Sequence, residues 1–88
     1  MRYQIEFTPR AEKYFALLPK SIQKRIVAKL QFFEKKENPL SFAKKLQGEK
    51  ELFRFRIGDY RVIFTPQNAQ TFIILLVLKI GHRREIYD

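Results

Sequence analysis

Three arginines crowd one short stretch of this chain, Arg54-Phe55-Arg56-Ile57-Gly58-Asp59-Tyr60-Arg61-Val62-Ile63-Phe64. A guanidinium is planar, permanently charged and matches the oxygens of a phosphate in bidentate geometry. A second basic cluster, His82-Arg83-Arg84, stands just before Tyr87 near the C-terminus. Together these residue types suit one chemistry: cations to hold a phosphate and steady charge developing on its oxygens, with His82 or Tyr87 to move a proton. The plainer readings are a solvated polar sheet face, an exposed histidine and a terminal core aromatic.

The local pattern predicts how the arginines are positioned. Leu52 to Ile57 alternates strictly between apolar and basic residues, which is the period of a half-buried strand. Gly58-Asp59 fits a two-residue hairpin turn, glycine supplying a positive φ, and Tyr60 to Phe64 returns. That turn pairs Ile57 with Tyr60, Arg56 with Arg61, Phe55 with Val62 and Arg54 with Ile63. Directly opposed residues share a face. Phe53, Phe55, Ile57, Tyr60, Val62 and Phe64 then form a core face, and Arg54, Arg56 and Arg61 the other. Like charges directly opposed repel, so an anion between Arg56 and Arg61 would relieve a local strain, and replacing either by alanine is expected to leave the fold intact.

The remaining chain supplies the scaffold. Tyr3, Ile5 and Phe7 alternate as a first strand. Thr8-Pro9 reads as an N-cap followed by proline at the first helical position. Ala11, Tyr14, Phe15 and Leu18 share a helical face up to Pro19. Ile22, Ile26, Leu30 and Phe33, with Val27 beside them, mark a second helix that Asn38-Pro39 ends. Pro66-Gln67-Asn68 reads as a second turn. The apolar run from Thr71 to Leu78 predicts a central strand buried on both faces. Gly81 interrupts it, and Ile86-Tyr87 could add a short last strand. The expected fold class is α+β in the order β-α-α-β-β-β: an N-terminal strand and a helical hairpin packed on one face of a small antiparallel sheet.

Bulk properties narrow the function. Eighty-eight residues make a single domain, 1–88, whose core draws on nine Phe and four Tyr. Eighteen Lys and Arg against nine Asp and Glu give a net charge of +9, which draws polyanions. The absence of cysteine excludes disulfides and cysteine-based zinc sites and fits a cytoplasmic protein; one histidine excludes a His-rich metal cage. The apolar run from Phe72 to Leu78 is far short of a membrane span, and the opening Met1-Arg2-Tyr3-Gln4 is unlike a signal peptide.

The hairpin stretch Arg54–Phe64, followed by Gly81-His82-Arg83-Arg84-Glu85-Ile86-Tyr87, resembles the RelE/ParE toxin superfamily; Tyr3 to Ala11 and Lys45-Leu46-Gln47-Gly48 are similar to it as well. The resemblance implies a RelE-like fold and a toxin of a toxin–antitoxin system. RelE-like members are endoribonucleases, mRNA interferases that cut messenger RNA in the ribosomal A site. The implied mechanism is attack of a ribose 2′-hydroxyl on the adjacent phosphate, without metal or other cofactor. Matched by position, the residues the resemblance implies are Arg54, Arg56, Arg61, Arg83 and Tyr87; the expected catalytic set is Arg56, Arg61, Arg83 and Tyr87, with His82 as an auxiliary, and Arg54, Lys45, Lys50 and Arg84 are the expected RNA contacts. RelE has lysines where this chain has Arg54 and Arg56. Arginine does not give up its proton near neutrality, which leaves Tyr87 as the expected proton-transfer group, on the Arg83 side if residues 83–87 are extended. The implied partners are a cognate antitoxin and messenger RNA on the ribosome, with no membrane and no small-molecule cofactor. ParE members, which poison DNA gyrase by contact alone, supply the alternative.

Overall fold

The computed structural model describes residues 2–48 and 51–86. In chain order it contains β1 (Arg2–Phe7), α1 (Pro9–Ala16), α2 (Lys20–Glu34), a 3-10 turn (Pro39–Phe42), β2 (Ala43–Lys45), β3 (Phe53–Ile57), β4 (Tyr60–Ala69) and β5 (Phe72–His82). The strands form one sheet in the order β1-β5-β4-β3-β2, and both helices pack on it, an α+β layout.

Local chemistry sets the helix boundaries. Thr8 caps α1, its side-chain oxygen accepting from the Ala11 N–H, and Pro9 follows inside the first turn. Pro19 separates the helices, and Gln23 Nε2 donates across the connection to the carbonyls of Ala16 and Leu18. After α2, the Asn38 side chain accepts from the Leu40 N–H and starts the 3-10 turn.

The core lies between the helices and one face of the sheet. Ala11, Ile26, Leu30 and Phe33 meet Phe55, Ile57, Val62, Phe64, Leu75, Val77 and Ile80. Its centre is a column of rings: Phe33 of α2 stacks on Phe55 of β3 at 4.4 Å, and Phe55 stacks on Phe64 of β4 at 4.4 Å. Offset stacks at this spacing stabilise beyond simple area burial. They also turn the opposite face of β3 and β4 away from the helices.

Four expectations change. The sheet is mixed rather than antiparallel, because β1 runs parallel to β5; the alternation in Tyr3–Phe7 names a buried face, but not a partner or a direction. Pro66-Gln67-Asn68 is strand, not turn, and β4 turns at Gln70-Thr71 with Gln70 at φ 53°. Pro66 pairs only with β5 there, since β3 stops pairing at Phe64, and an edge position tolerates a residue that cannot donate. β5 is central and runs on through Gly81 to His82, but it is deeply buried on one face only. Phe72, Ile74 and Leu76 lie on the side without helices and are partly exposed. Finally, residues 83–85 form a turn instead of opening a last strand.

A bulge shapes the middle of β5. Ile63 of β4 pairs with Lys79 and the next residue, Phe64, pairs with Val77, so Leu78 is an extra residue. Bulges re-aim side chains. Here Val77 and Ile80 both face the helices, and Leu78 and Lys79 are left to the other side.

Candidate nucleic-acid interface

The β3–β4 register is Ile57 with Tyr60, Arg56 with Arg61, Phe55 with Val62 and Arg54 with Ile63, as the alternation predicts. Gly58 takes φ 59° in the turn, which a residue without Cβ adopts at least cost. Arg54, Arg56 and Arg61 therefore share the face opposite the phenylalanine column.

The two opposed arginines differ in environment. Arg56 is exposed, whereas Arg61 is only 8% exposed and donates from one guanidinium nitrogen to the carbonyls of Gly58 and Tyr60, both at 3.0 Å. Burial pushes the Arg61 pKa below its ordinary value, and the charges of Arg56, Arg54 and Arg83 push the same way, opposed by Asp59. Arginine nonetheless stays protonated at usable pH. Arg61 is thus a held cation among three others, and it also fastens the hairpin turn. Removing Arg61 therefore takes a donor from two turn carbonyls, a stability cost that the alternation pattern alone does not show.

The C-terminal turn brings in the fourth cation. The Arg83 N–H donates to the Asp59 carbonyl at 2.7 Å, and Arg83 Nε stands 3.7 Å from Asp59 Oδ1. Both side chains are more than half exposed, so the ion pair itself adds little; the backbone bond does the positioning. Glu85 and Ile86 both donate their N–H to the His82 carbonyl, which curls the chain. Ile86 is buried against Gly81, where a Cβ would come within 3.1 Å of its Cδ1. Gly81 pairs with Arg61, so this turn folds toward the arginine face.

Two expected site residues, His82 and Lys45, stand elsewhere. His82 pairs with Tyr60 and meets its ring edge-on at 5.4 Å, on the face away from Arg56 and Arg61. Its Nδ1 accepts from the Arg84 N–H at 3.1 Å. Arg84 is exposed on the same turn. Lys45 pairs with Phe53, on the helix side of the sheet, and Lys44 pairs with Arg54. The basic face therefore takes Lys44 and not Lys45. Curling of residues 82–86 also removes the extended alternation that would have set Tyr87 beside Arg83. Lys50 and Tyr87 themselves lie outside the described residues.

Two contributions were not read from the sequence. Lys44, Arg54, Ile63 and Lys79 form one row across four strands. Lys44 needed the register of a three-residue strand, and Lys79 needed the bulge. In addition, Arg25 and Lys29 of α2 join Arg56 around a groove of about 590 Å³ floored by Ala28, Phe32, Ile57 and Gly58. β2 stops opposite Phe55, which leaves that edge of β3 open.

This arrangement can hold a chain of phosphates: a basic sheet face, one arginine already desolvated, and an apolar support behind it. Residues 5–87 match the family model described as the ParE toxin of type II toxin–antitoxin systems. The fold is similar to the archaeal RelE–RelB complex of Pyrococcus horikoshii, with TM-score 0.70 and 29% identity over 98% of this chain and 100% of that one. It is also similar to the RelBE2 toxin–antitoxin complex of Mycobacterium tuberculosis, with TM-score 0.73 and 27% identity over 94% and 93% of the two chains. The isolated Escherichia coli RelE toxin, 19% identical over 91% and 83%, shares the fold with TM-score 0.68. No curated protein matches at a significant level.

Proposed function

The chain belongs to the ParE toxin family of type II toxin–antitoxin systems, and from that premise we propose that this toxin is a cytoplasmic endoribonuclease that cuts messenger RNA in the ribosomal A site. The observation that carries the reading is the set Arg54, Arg56, Arg61 and Arg83, gathered at one end of the sheet closely enough that the other three charges act on Arg61. A substrate 2′-hydroxyl gives up its proton and attacks the neighbouring phosphorus, the bond to the 5′-oxygen breaks, and the departing oxygen takes up a proton to leave as a hydroxyl. Charge grows on the non-bridging oxygens during the attack. Cations fixed in place beforehand stabilise that charge without reorganising. Arg61 is fixed by the turn carbonyls and the Asp59 carbonyl anchors the backbone of Arg83, while exposed Arg56 and half-buried Arg54 bind and orient the strand. No step calls for a metal.

An arginine set cannot accept the 2′-hydroxyl proton. The resemblance assigns proton transfer to Tyr87, and His82 is set aside because it faces Tyr60. The P. horikoshii and M. tuberculosis relatives are complexes with antitoxins, which supports a cognate antitoxin here, acidic where it covers the arginines.

A second reading has its own support. The matching family model is that of ParE, and ParE-like toxins would act on gyrase by contact alone. Incubating the purified chain with mRNA-programmed ribosomes, and separately with gyrase and plasmid, divides the two. Cleaved messenger with untouched supercoiling supports the nuclease; inhibited supercoiling with intact messenger supports the gyrase poison.

A further inference from the structure

A pocket of about 320 Å³ opens at the far end of the arginine row, lined by Arg10, Tyr14, Ile63, Leu78 and Lys79. Its construction follows from the topology. β1 ends where Phe7 pairs with Val77, and α1 begins two residues later, so α1 lies along β5 just past the end of β1. Arg10 and Tyr14 are one helical turn apart and project together. On the sheet side, Ile63 pairs with Lys79, and the bulge adds Leu78 to the same side. Without that extra residue, alternation would send Lys79 into the core. The bulge thus delivers an apolar side chain and an ammonium to one pocket.

The lining points to one kind of occupant. Ile63, only 7% exposed, and Leu78 form an apolar floor, and Tyr14, 41% exposed, supplies an accessible aromatic side chain. Arg10 and Lys79 add two cations, and among the described residues no carboxylate lines the pocket. A flat apolar group attached to an anion fits such a site, and a nucleobase on its phosphate is that group. The volume lies near the lower bound of small-molecule pockets, roughly 300–1,000 Å³, enough for a single nucleoside. Ile63 also pairs with Arg54 and lies two residues from Arg61 on the same strand face, about 7 Å away.

We propose that this pocket is a nucleobase subsite, in which Tyr14, Ile63 and Leu78 take one base of a bound RNA strand while Arg10 and Lys79 hold its flanking phosphates. The subsite rests on the reading of the arginine face as an RNA site and gives that face a preference for nucleotides that still carry a base at one position.

The test uses a fully 2′-O-methylated trinucleotide, which cannot be cleaved, and three versions that each lack one base. Affinity for the full-length chain is measured with the parent and with Tyr14→Phe, Tyr14→Ala, Lys79→Ala and Arg56→Ala, each checked for its melting temperature. The parent and Tyr14→Phe should lose between about 5-fold and 100-fold in affinity when one particular base is missing, the usual range for a stacked base. Tyr14→Ala should erase that difference, and Lys79→Ala should weaken all four probes alike. Equal binding of all four probes by the parent, with binding still lost in Arg56→Ala, would overturn the subsite and leave the RNA face standing. No binding of any probe at low salt would overturn both. Tyr14→Ala that releases an acidic peptide such as oligoglutamate, but binds every trinucleotide as the parent does, would make the pocket a protein contact and overturn the proposal. Should Tyr14→Ala fail to fold, Lys79→Ala decides: unchanged binding of all four probes overturns the proposal.

Discussion

Arg56 and Arg61 stand directly opposite each other on β3 and β4, one exposed and the other buried and bonded to two turn carbonyls. Mutation of each should therefore have a different effect. Arg56→Ala removes a repelling surface charge and should change stability by no more than about 0.5 kcal/mol. Arg61→Ala leaves the Gly58 and Tyr60 carbonyls without that donor and should cost about 1–3 kcal/mol. Urea unfolding measures both. Equal costs at the two positions would contradict the assignment of Arg61 as the held cation.

Phe55→Ala should cost about 3–5 kcal/mol, since Phe55 is fully buried between two stacked rings. The same unfolding series should find Arg54→Ala far milder than Phe55→Ala. Reversal of that order would mean the hairpin register is off by one, which would exchange its two faces.

The arginine face and its register were legible in the sequence because strict alternation and a Gly-Asp turn leave few other pairings. Thr8-Pro9 announced its helix for an equally local reason. What was not legible depended on distant partners. Nothing in Tyr3–Phe7 says that β1 joins β5 in parallel. An extra residue at Leu78 is invisible until β4 is laid beside β5, and with it the outward turn of Lys79. Lys44 and Lys45 are adjacent lysines, and only pairing with β3 separates them. His82 looked like part of the basic cluster, but pairing with Tyr60 places it on the other face.

Glu34 closes the open side of β1: the Ile5 N–H donates to Glu34 Oε2 at 2.7 Å. Glu34→Ala should destabilise by about 1–3 kcal/mol, because this part-buried donor loses its acceptor. It should also favour self-association, as an uncapped strand edge invites pairing. Thermal melting and light scattering check the two effects. An unchanged melting temperature would show that water replaces the carboxylate freely.

Free toxin should bind single-stranded RNA with strong salt dependence. Three or four phosphates on the arginine face correspond to a log–log slope of roughly −2 to −3. Arg56→Ala should flatten that slope by somewhat less than one, and a bound antitoxin should suppress the binding. A slope near zero would remove phosphate from the account of this face.

The central claim is that the arginine face promotes attack by a ribose 2′-hydroxyl. Mapping the ends of messenger RNA cut on programmed ribosomes tests it most directly. The parent should leave a 2′,3′-cyclic phosphate and a 5′-hydroxyl. Tyr87→Phe should be slower by about 100-fold or more, as expected on losing a proton-transfer group, and a folded Arg56→Ala/Arg83→Ala double variant should be slower still. Products bearing a 5′-phosphate, or undiminished cutting by the double arginine variant, would contradict it.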